Sequence, residues 1–307
     1  MTFEMNRRKL LSFAGIGAGT LALSACGLSG ETAFGSGSTS DTVIIGSADF
    51  TESQIVAEIY AAALNKRGIT AETRPAIGAR EAYIGALKEG TVGVVPDYSG
   101  NLLLYFDAQT KAKTPQEILK ALPDALSDGL SILDAAPAED KDSLAVTSET
   151  AQKFGLKSIA DLAAHSSEFT LGGPPEFAER SYGLPGLKKN YGFEPAKFSP
   201  INDGGGPLTV QALKDDQVQV ADLFSTDPAI KKNNFVVLED PQNNFLAQQV
   251  LPVVNAKQVS VAAADVLNEI SALLTTDDLI ALNDRVSGDE KANTVTAAKD
   301  WVDQKLK

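Results

Sequence analysis

The strongest constraint on the fold is an alternation of short apolar runs with amphipathic segments, repeated in two stretches of the chain. Thr42-Val43-Ile44-Ile45-Gly46 is too short for a helix and reads as a strand. Behind it, Ile55, Ile59, Ala62 and Ala63 fall at helical spacing. Thr51, with Gln54 three residues on, has the form of a capping box. A strand near 70–74, a helix near 80–88 and the strand Val92-Gly93-Val94-Val95 continue the pattern. Thr114-Pro115-Gln116-Glu117 opens a further helix with a cap, a proline at the first helical position and a capping glutamate. Strand–helix–strand order predicts an α/β fold around a largely parallel sheet.

The second alternation runs from about 148 to 249. Phe169-Thr170-Leu171 is a strand ahead of Gly172-Gly173-Pro174-Pro175, a helix over 182–191 ends at Gly192, and strands follow at 218–223 and 235–238. Residues 143–147 suit a crossover strand and 249–254 a return strand, while 259–305 reads as helical, with Trp301 as a packing residue. Two alternating regions crossed twice predict two α/β lobes joined by a two-crossing hinge. The division expected is 42–146 plus 252–307 for the first lobe and 147–251 for the second. Ligands in such molecules sit between the lobes, at carboxyl ends of strands and amino ends of helices.

The amino end has a different character. Arg7, Arg8 and Lys9 precede an apolar run to Leu23, and Leu23-Ser24-Ala25 leads to Cys26, the only cysteine. A basic start, a short apolar stretch and small residues before a cleavage point form a secretory signal peptide. The cysteine that follows resembles a bacterial lipobox, and Arg7-Arg8 also looks like a twin-arginine export signal. The run is short and rich in Gly and Ala for a membrane span. The expectation is a signal peptide over 1–25, a lipidated Cys26 and a Gly/Ser-rich tether to residue 41. The protein would then be exported and held by its lipid anchor on the outer face of the cytoplasmic membrane. Removing Glu4, Arg7, Arg8 and Lys9 with that signal takes a net +2 away, so the charge moves from −13 to −15. So acidic a surface argues against nucleic acid as a partner.

Enzyme chemistry finds little support. His165 is the sole histidine, Cys26 is committed to the lipid, and no Gly-x-Ser-x-Gly elbow is present. A His/Cys zinc site cannot be assembled. No cofactor or metal is expected. Gly204-Gly205-Gly206-Pro207 lacks the lysine and spacing of a phosphate-binding loop and reads as a hinge or cleft-facing loop.

Three stretches carry a family resemblance. They are Ile45-Gly46-Ser47-Ala48-Asp49-Phe50-Thr51-Glu52-Ser53; the region 83–100 with its core Val95-Pro96-Asp97-Tyr98-Ser99-Gly100; and Pro175-Glu176-Phe177-Ala178-Glu179-Arg180, followed by Gly183-Leu184-Pro185-Gly186-Leu187. With Ser225-Thr226-Asp227 and Leu238-Glu239-Asp240, they resemble the substrate-binding lipoproteins of osmoprotectant ABC importers. These are the glycine betaine/carnitine/choline-binding proteins. The resemblance implies a bilobal periplasmic-binding-protein fold (type II). It also implies a monomeric receptor that captures a zwitterionic or quaternary-ammonium solute and delivers it to the importer's membrane permease subunits.

It implies site residues as well. Tyr98 matches the family's cage tyrosine, with Asp97 where glutamate is usual. Arg180 matches the arginine that grips a ligand carboxylate, with Glu176 one turn before it. Tyr83 would close the cage, and Thr51 would offer the amides of the helix it caps. The chemistry suits these residue types. A quaternary ammonium donates no hydrogen bond and favours aromatic faces, while a carboxylate favours a guanidinium fork. The chain departs from the family at Phe224, which keeps a ring without the hydroxyl, at Gln248 in place of a cage tyrosine, and at Ala48 in place of a lysine. A receptor of the same fold for another small solute, ergothioneine-like, an amino acid or a polyphenol, is the alternative these departures leave open.

Overall fold

A computed structural model describes residues 42–127 and 129–307. The expected signal peptide over 1–25, Cys26 and the expected tether lie outside the described residues. The first region holds β1 (Val43–Gly46), α1 (Thr51–Lys66), β2 (Ala71–Arg74), α2 (Arg80–Glu89), β3 (Val94–Tyr98), α3 (Ser99–Phe106), α4 (Pro115–Ala125) and β4 (Leu130–Ile132). The second holds β5 (Asp142–Val146), α5 (Ser148–Phe154), β6 (Thr170–Gly173), α6 (Leu184–Tyr191), β7 (Lys197–Pro200), α7 (Pro207–Lys214), β8 (Val220–Phe224), α8 (Pro228–Lys232) and β9 (Val236–Val237). The chain returns through β10 (Val250–Asn255) to α9 (Val261–Ser271), α10 (Thr276–Ser287) and α11 (Thr294–Lys305).

These strands form two five-stranded sheets, β2-β1-β3-β10-β4 and β7-β6-β8-β5-β9. Each is the middle layer of one lobe. Period-2 alternation explains why both faces are covered. Along β10, Val250 and Val254 join the apolar cluster under α1, α9, α10 and α11, while Leu251 and Val253 join the cluster under α2, α3 and α4. The second sheet repeats the arrangement, with Leu144 and Val220 on one face and Ala145, Ala221 and Leu223 on the other.

The sheets are mixed rather than largely parallel. β1 runs parallel to β2 and β3, and β6 to β7 and β8, but β10 and β5 are antiparallel to both their neighbours. The two antiparallel strands are the ones that enter from the crossings, which corrects the expected lobe boundaries. β5 belongs to the second sheet, so the first crossing precedes Asp142 instead of following 146, and Val250 and Leu251 belong to the first sheet. The crossings themselves pair: Glu139 bridges Gln249, the Asp140 amide donates to Gln248 O at 3.1 Å, and the Val250 amide donates to Ala138 O at 3.1 Å.

Two local expectations change. Thr114 makes the capping box with Glu117, but α1 is capped differently: Phe50 is its N-cap and offers no side-chain acceptor. Thr51 is the first helical residue. The helix expected over 182–191 starts at Leu184. Among the described residues no helix is long and apolar enough to cross a membrane.

Candidate functional site

The lobes meet at the carboxyl ends of β1, β3, β6 and β8, where open α/β sheets bind ligands. The cleft between them holds a cavity of about 70 Å³, small beside the ~300–1,000 Å³ typical of small-molecule sites.

One wall is aromatic. Phe50, between β1 and α1, lies 5.9 Å from the Tyr98 ring and 5.1 Å from the Phe224 ring, centroid to centroid. Phe50 therefore joins a first-lobe tyrosine to a second-lobe phenylalanine. Tyr83 on α2 and Tyr182 ahead of α6 also line the space, and both are buried. Burial raises the ionisation of Tyr83, Tyr98 and Tyr182 well above the phenolic range, so all three rings stay neutral. The loop carrying Gly204 has to press on Phe50: a Cβ there would sit 2.5 Å from the Phe50 Cβ, and the backbone φ is +59°.

An acidic patch adjoins Phe224 on the second-lobe side. Asp142 and Asp222 stand on adjacent antiparallel strands, and Leu144 opposite Asp222 sets them diagonally on one face. Asp142 accepts from Asn101 Nδ2 at 2.8 Å. Asp222 is fully buried, and apart from the nearby Ser143 amide, which favours its charged form, neither of its oxygens has a hydrogen-bond partner. Burial and then the Asp142 charge push the Asp222 carboxyl well above the usual carboxylate range. Asp140, on the first crossing, is raised by burial and by Glu52, although the Thr226 amide and Ser225 hydroxyl donate to it at 2.9 and 3.1 Å.

Both arginines of the cleft are already paired. Arg80 Nε donates to Asp97 Oδ1 and Oδ2 at 3.2 and 3.1 Å, and Nη2 to Oδ1 at 2.7 Å, with side chains 8% and 0% exposed. Burial opposes the Arg80 charge, yet the facing carboxylate holds its pKa well above the ordinary value. Arg180 Nη2 reaches across the mouth to Glu81 on α2 at 3.0 Å. Glu81 is 58% exposed, so this pair is a weak clasp.

A third polar cluster ties the lobes behind the rings. Glu52 accepts from the Tyr98 hydroxyl at 2.7 Å, and its other oxygen accepts from Thr226 Oγ1 at 2.5 Å and Asn283 Nδ2 at 2.6 Å. One buried carboxylate on α1 thus joins β3, the turn after β8, and α10.

Of the residues expected from sequence, Tyr98, Tyr83, Phe224, Glu176 and Arg180 line the cleft. Three do not. Asp97 is fully buried behind the wall, where it holds Arg80 and accepts from the Tyr98 amide at 2.7 Å. Gln248 is fully buried, and its Oε1 accepts from the Asn101 amide at 2.9 Å, so it braces the start of α3 instead of facing solute. Gly100 permits this contact, since a Cβ there would lie 2.5 Å from Ala247 O. Thr51 lines an adjoining groove beside Gly205 and Pro207 and not the cleft itself. In that groove Asp203 accepts from the Leu208 and Thr209 amides at 2.6 and 3.1 Å, so an internal carboxylate already occupies the helix terminus that a phosphate would need. Arg80, Asp142, Asp222, Tyr182 and Glu52 were missed. The signal for Asp222 was a single acid inside the apolar strand Val218–Leu223. Among the described residues no group of three or more His, Cys, Asp or Glu is placed to hold a metal ion.

Comparison with known proteins agrees with this architecture. Residues 41–304 match the family model of the substrate-binding domain of ABC-type glycine betaine transport systems. The glycine betaine-binding protein YehZ of Escherichia coli is 30% identical over 65% of this chain and 69% of its own length. A glycine-betaine-binding protein of Pseudomonas aeruginosa is 28% identical over 84% and 86%. The crystal structure of a glycine betaine/carnitine/choline ABC transporter protein superposes with a TM-score of 0.67 over 85% of this chain and 98% of that one, at 22% identity. The chain belongs to the family of substrate-binding domains of ABC-type glycine betaine transport systems, extracytoplasmic receptors and not enzymes.

Proposed function

We propose that this receptor captures a betaine-like quaternary-ammonium solute in the cleft, with the cation against the rings of Phe50, Tyr98 and Phe224. The observation that carries this reading is the Phe50 bridge between rings of opposite lobes, beside neutral Tyr83 and Tyr182. Each aromatic face contributes ~0.5–2 kcal/mol to a bound cation, most where water is excluded. Arg180 receives the carboxylate of a zwitterion by exchanging Glu81, a partner it gives up at little cost because Glu81 is solvated. Solute bridging the two lobes favours the closed arrangement that a permease recognises. Cys26 carries the lipid that keeps the receptor at the membrane surface.

Calorimetric titration of residues 27–307 with glycine betaine, proline betaine, carnitine, choline and unmethylated amino acids tests the ligand class. Binding confined to the N-methylated solutes is expected, and heat from none of them overturns the reading. Arg180→Ala should weaken carnitine and the betaines far more than choline, which has no carboxylate; equal losses remove Arg180 from its role. Replacing Cys26 by alanine in the full chain should release the protein from washed membranes.

A further inference from the structure

The acidic patch is more than the reading above requires. A fully methylated betaine presents a cation without donors and a carboxylate, and neither satisfies a hydrogen-bond acceptor. Yet the cleft contains unsatisfied acceptors on two separate elements. Asp222 on β8 has no exposed surface, and apart from the nearby Ser143 amide, which favours its charged form, neither oxygen has a partner. Asn101 on α3 is 8% exposed, and its Oδ1 is also without a partner. Its orientation is fixed, because its Nδ2 is spent on Asp142. Leaving such groups unpaired in a buried site is costly, and both line the cleft.

We infer that Asp222, Asp142 and Asn101 form a specificity subsite for a hydrogen-bond donor on the solute, so that the preferred ligand is a cation bearing a hydroxyl or N–H group and lacking a carboxylate. This inference rests on the quaternary-ammonium reading of the cleft and narrows it. The charges that face Asp222 support it. Asp142 on β5, Asp140 on the crossing and Glu176 on the 3-10 helix Pro175–Ala178 are all acidic. Of the cations nearby, Arg80 is held by buried Asp97, and only Arg180, whose Glu81 partner is solvated, is left for a carboxylate. A second carboxylate brought by a zwitterion would enter a patch already rich in them, whereas a cation with a donor answers both the charge and the empty acceptors.

Burial and Asp142 favour the protonated Asp222 in the empty cleft. A cation beside it favours the carboxylate, so its proton passes to solvent as the solute enters. Cation affinity should therefore rise with pH, and binding should release protons.

Choline and glycine betaine are suitable probes, since they share the trimethylammonium head and differ in hydroxyl against carboxylate. Wild-type protein should bind choline at least about tenfold more tightly than glycine betaine, the scale of a hydrogen bond to a charged group. Asp222→Asn and Asp142→Asn should each collapse that ratio toward unity while melting cooperatively. Titration of choline into wild-type protein in phosphate and in Tris should reveal proton release, a readout that needs no variant to fold. Equal or tighter binding of glycine betaine overturns the inference, as does a ratio unchanged in both variants, or choline binding without proton release. Failure of every quaternary amine to bind would instead remove the parent reading, and the subsite with it.

Discussion

Asp97→Ala tests how the cleft is held rigid. Asp97 is fully buried and meets Arg80 through three contacts of 2.7–3.2 Å, while also accepting from the Tyr98 amide at 2.7 Å. Truncation leaves a guanidinium uncompensated in a site where it is 8% exposed. Breaking a buried pair from one side costs about 3–5 kcal/mol. The orphaned Tyr98 amide adds about 1 kcal/mol or more, not fully additive with the first loss. For a domain of this size, a total near 4 kcal/mol lowers Tm by about 8–16 °C, measurable by scanning calorimetry. The Arg80→Met, Asp97→Leu double variant removes both charges and should recover much of the loss, giving a coupling of at least about 2 kcal/mol. Choline affinity should fall in Asp97→Ala, most at low salt, because the freed cation faces the ligand. If the two single variants and the double variant add to within about 0.5 kcal/mol, the reasoning is refuted.

Glu52→Gln should weaken the tie among Tyr98, Thr226 and Asn283, lowering stability by about 1.5–3 kcal/mol and enlarging the unliganded protein in small-angle scattering; an unchanged radius of gyration would deny Glu52 any part in holding the lobes together. Gly100→Ala places a methyl 2.5 Å from Ala247 O and 2.7 Å from Leu246 Cβ, so denaturant titration should show a loss of about 1–3 kcal/mol, and a neutral result would mean the strap before β10 yields freely. Asp222, Asp142 and Asp140 are raised above their unfolded values, so their contribution is favourable at acid pH and is lost as pH rises through the folded pKa. Asp222→Asn stays neutral throughout and should therefore melt above wild type at pH 8, with the gap closing toward pH 4; a constant or inverted gap would contradict the assignment.

The lobes were legible because strands and helices here follow their apolar periods closely, as in Ile55 and Ile59 on α1 and the alternation along β10. The boundaries were less so, since nothing in Asp142-Ser143-Leu144 states which sheet will pair with it; that depends on contacts with Leu223 and Phe224, some 80 residues away. Tyr98 could be read from Pro96-Asp97-Tyr98-Ser99-Gly100, a contiguous motif. Arg80 could not, because its meaning lies in a carboxylate on another element. Gln248 was misread for a related reason. The family resemblance sets it in place of a cage tyrosine, but the missing Cβ of Gly100 opens an inward path, and the amide of Asn101 takes the side chain there.

The paired crossings have a consequence for transport. Because Glu139 and Gln249 are laddered together, flanked by the Asp140–Gln248 and Val250–Ala138 bonds, the two connections bend as one ribbon and not as two independent linkers. A ribbon is compliant across its face and stiff in its plane, so any relative motion of the lobes is a bend about this one ribbon, and cargoes of different chemistry that close the cleft would present the permease with the same outer contour.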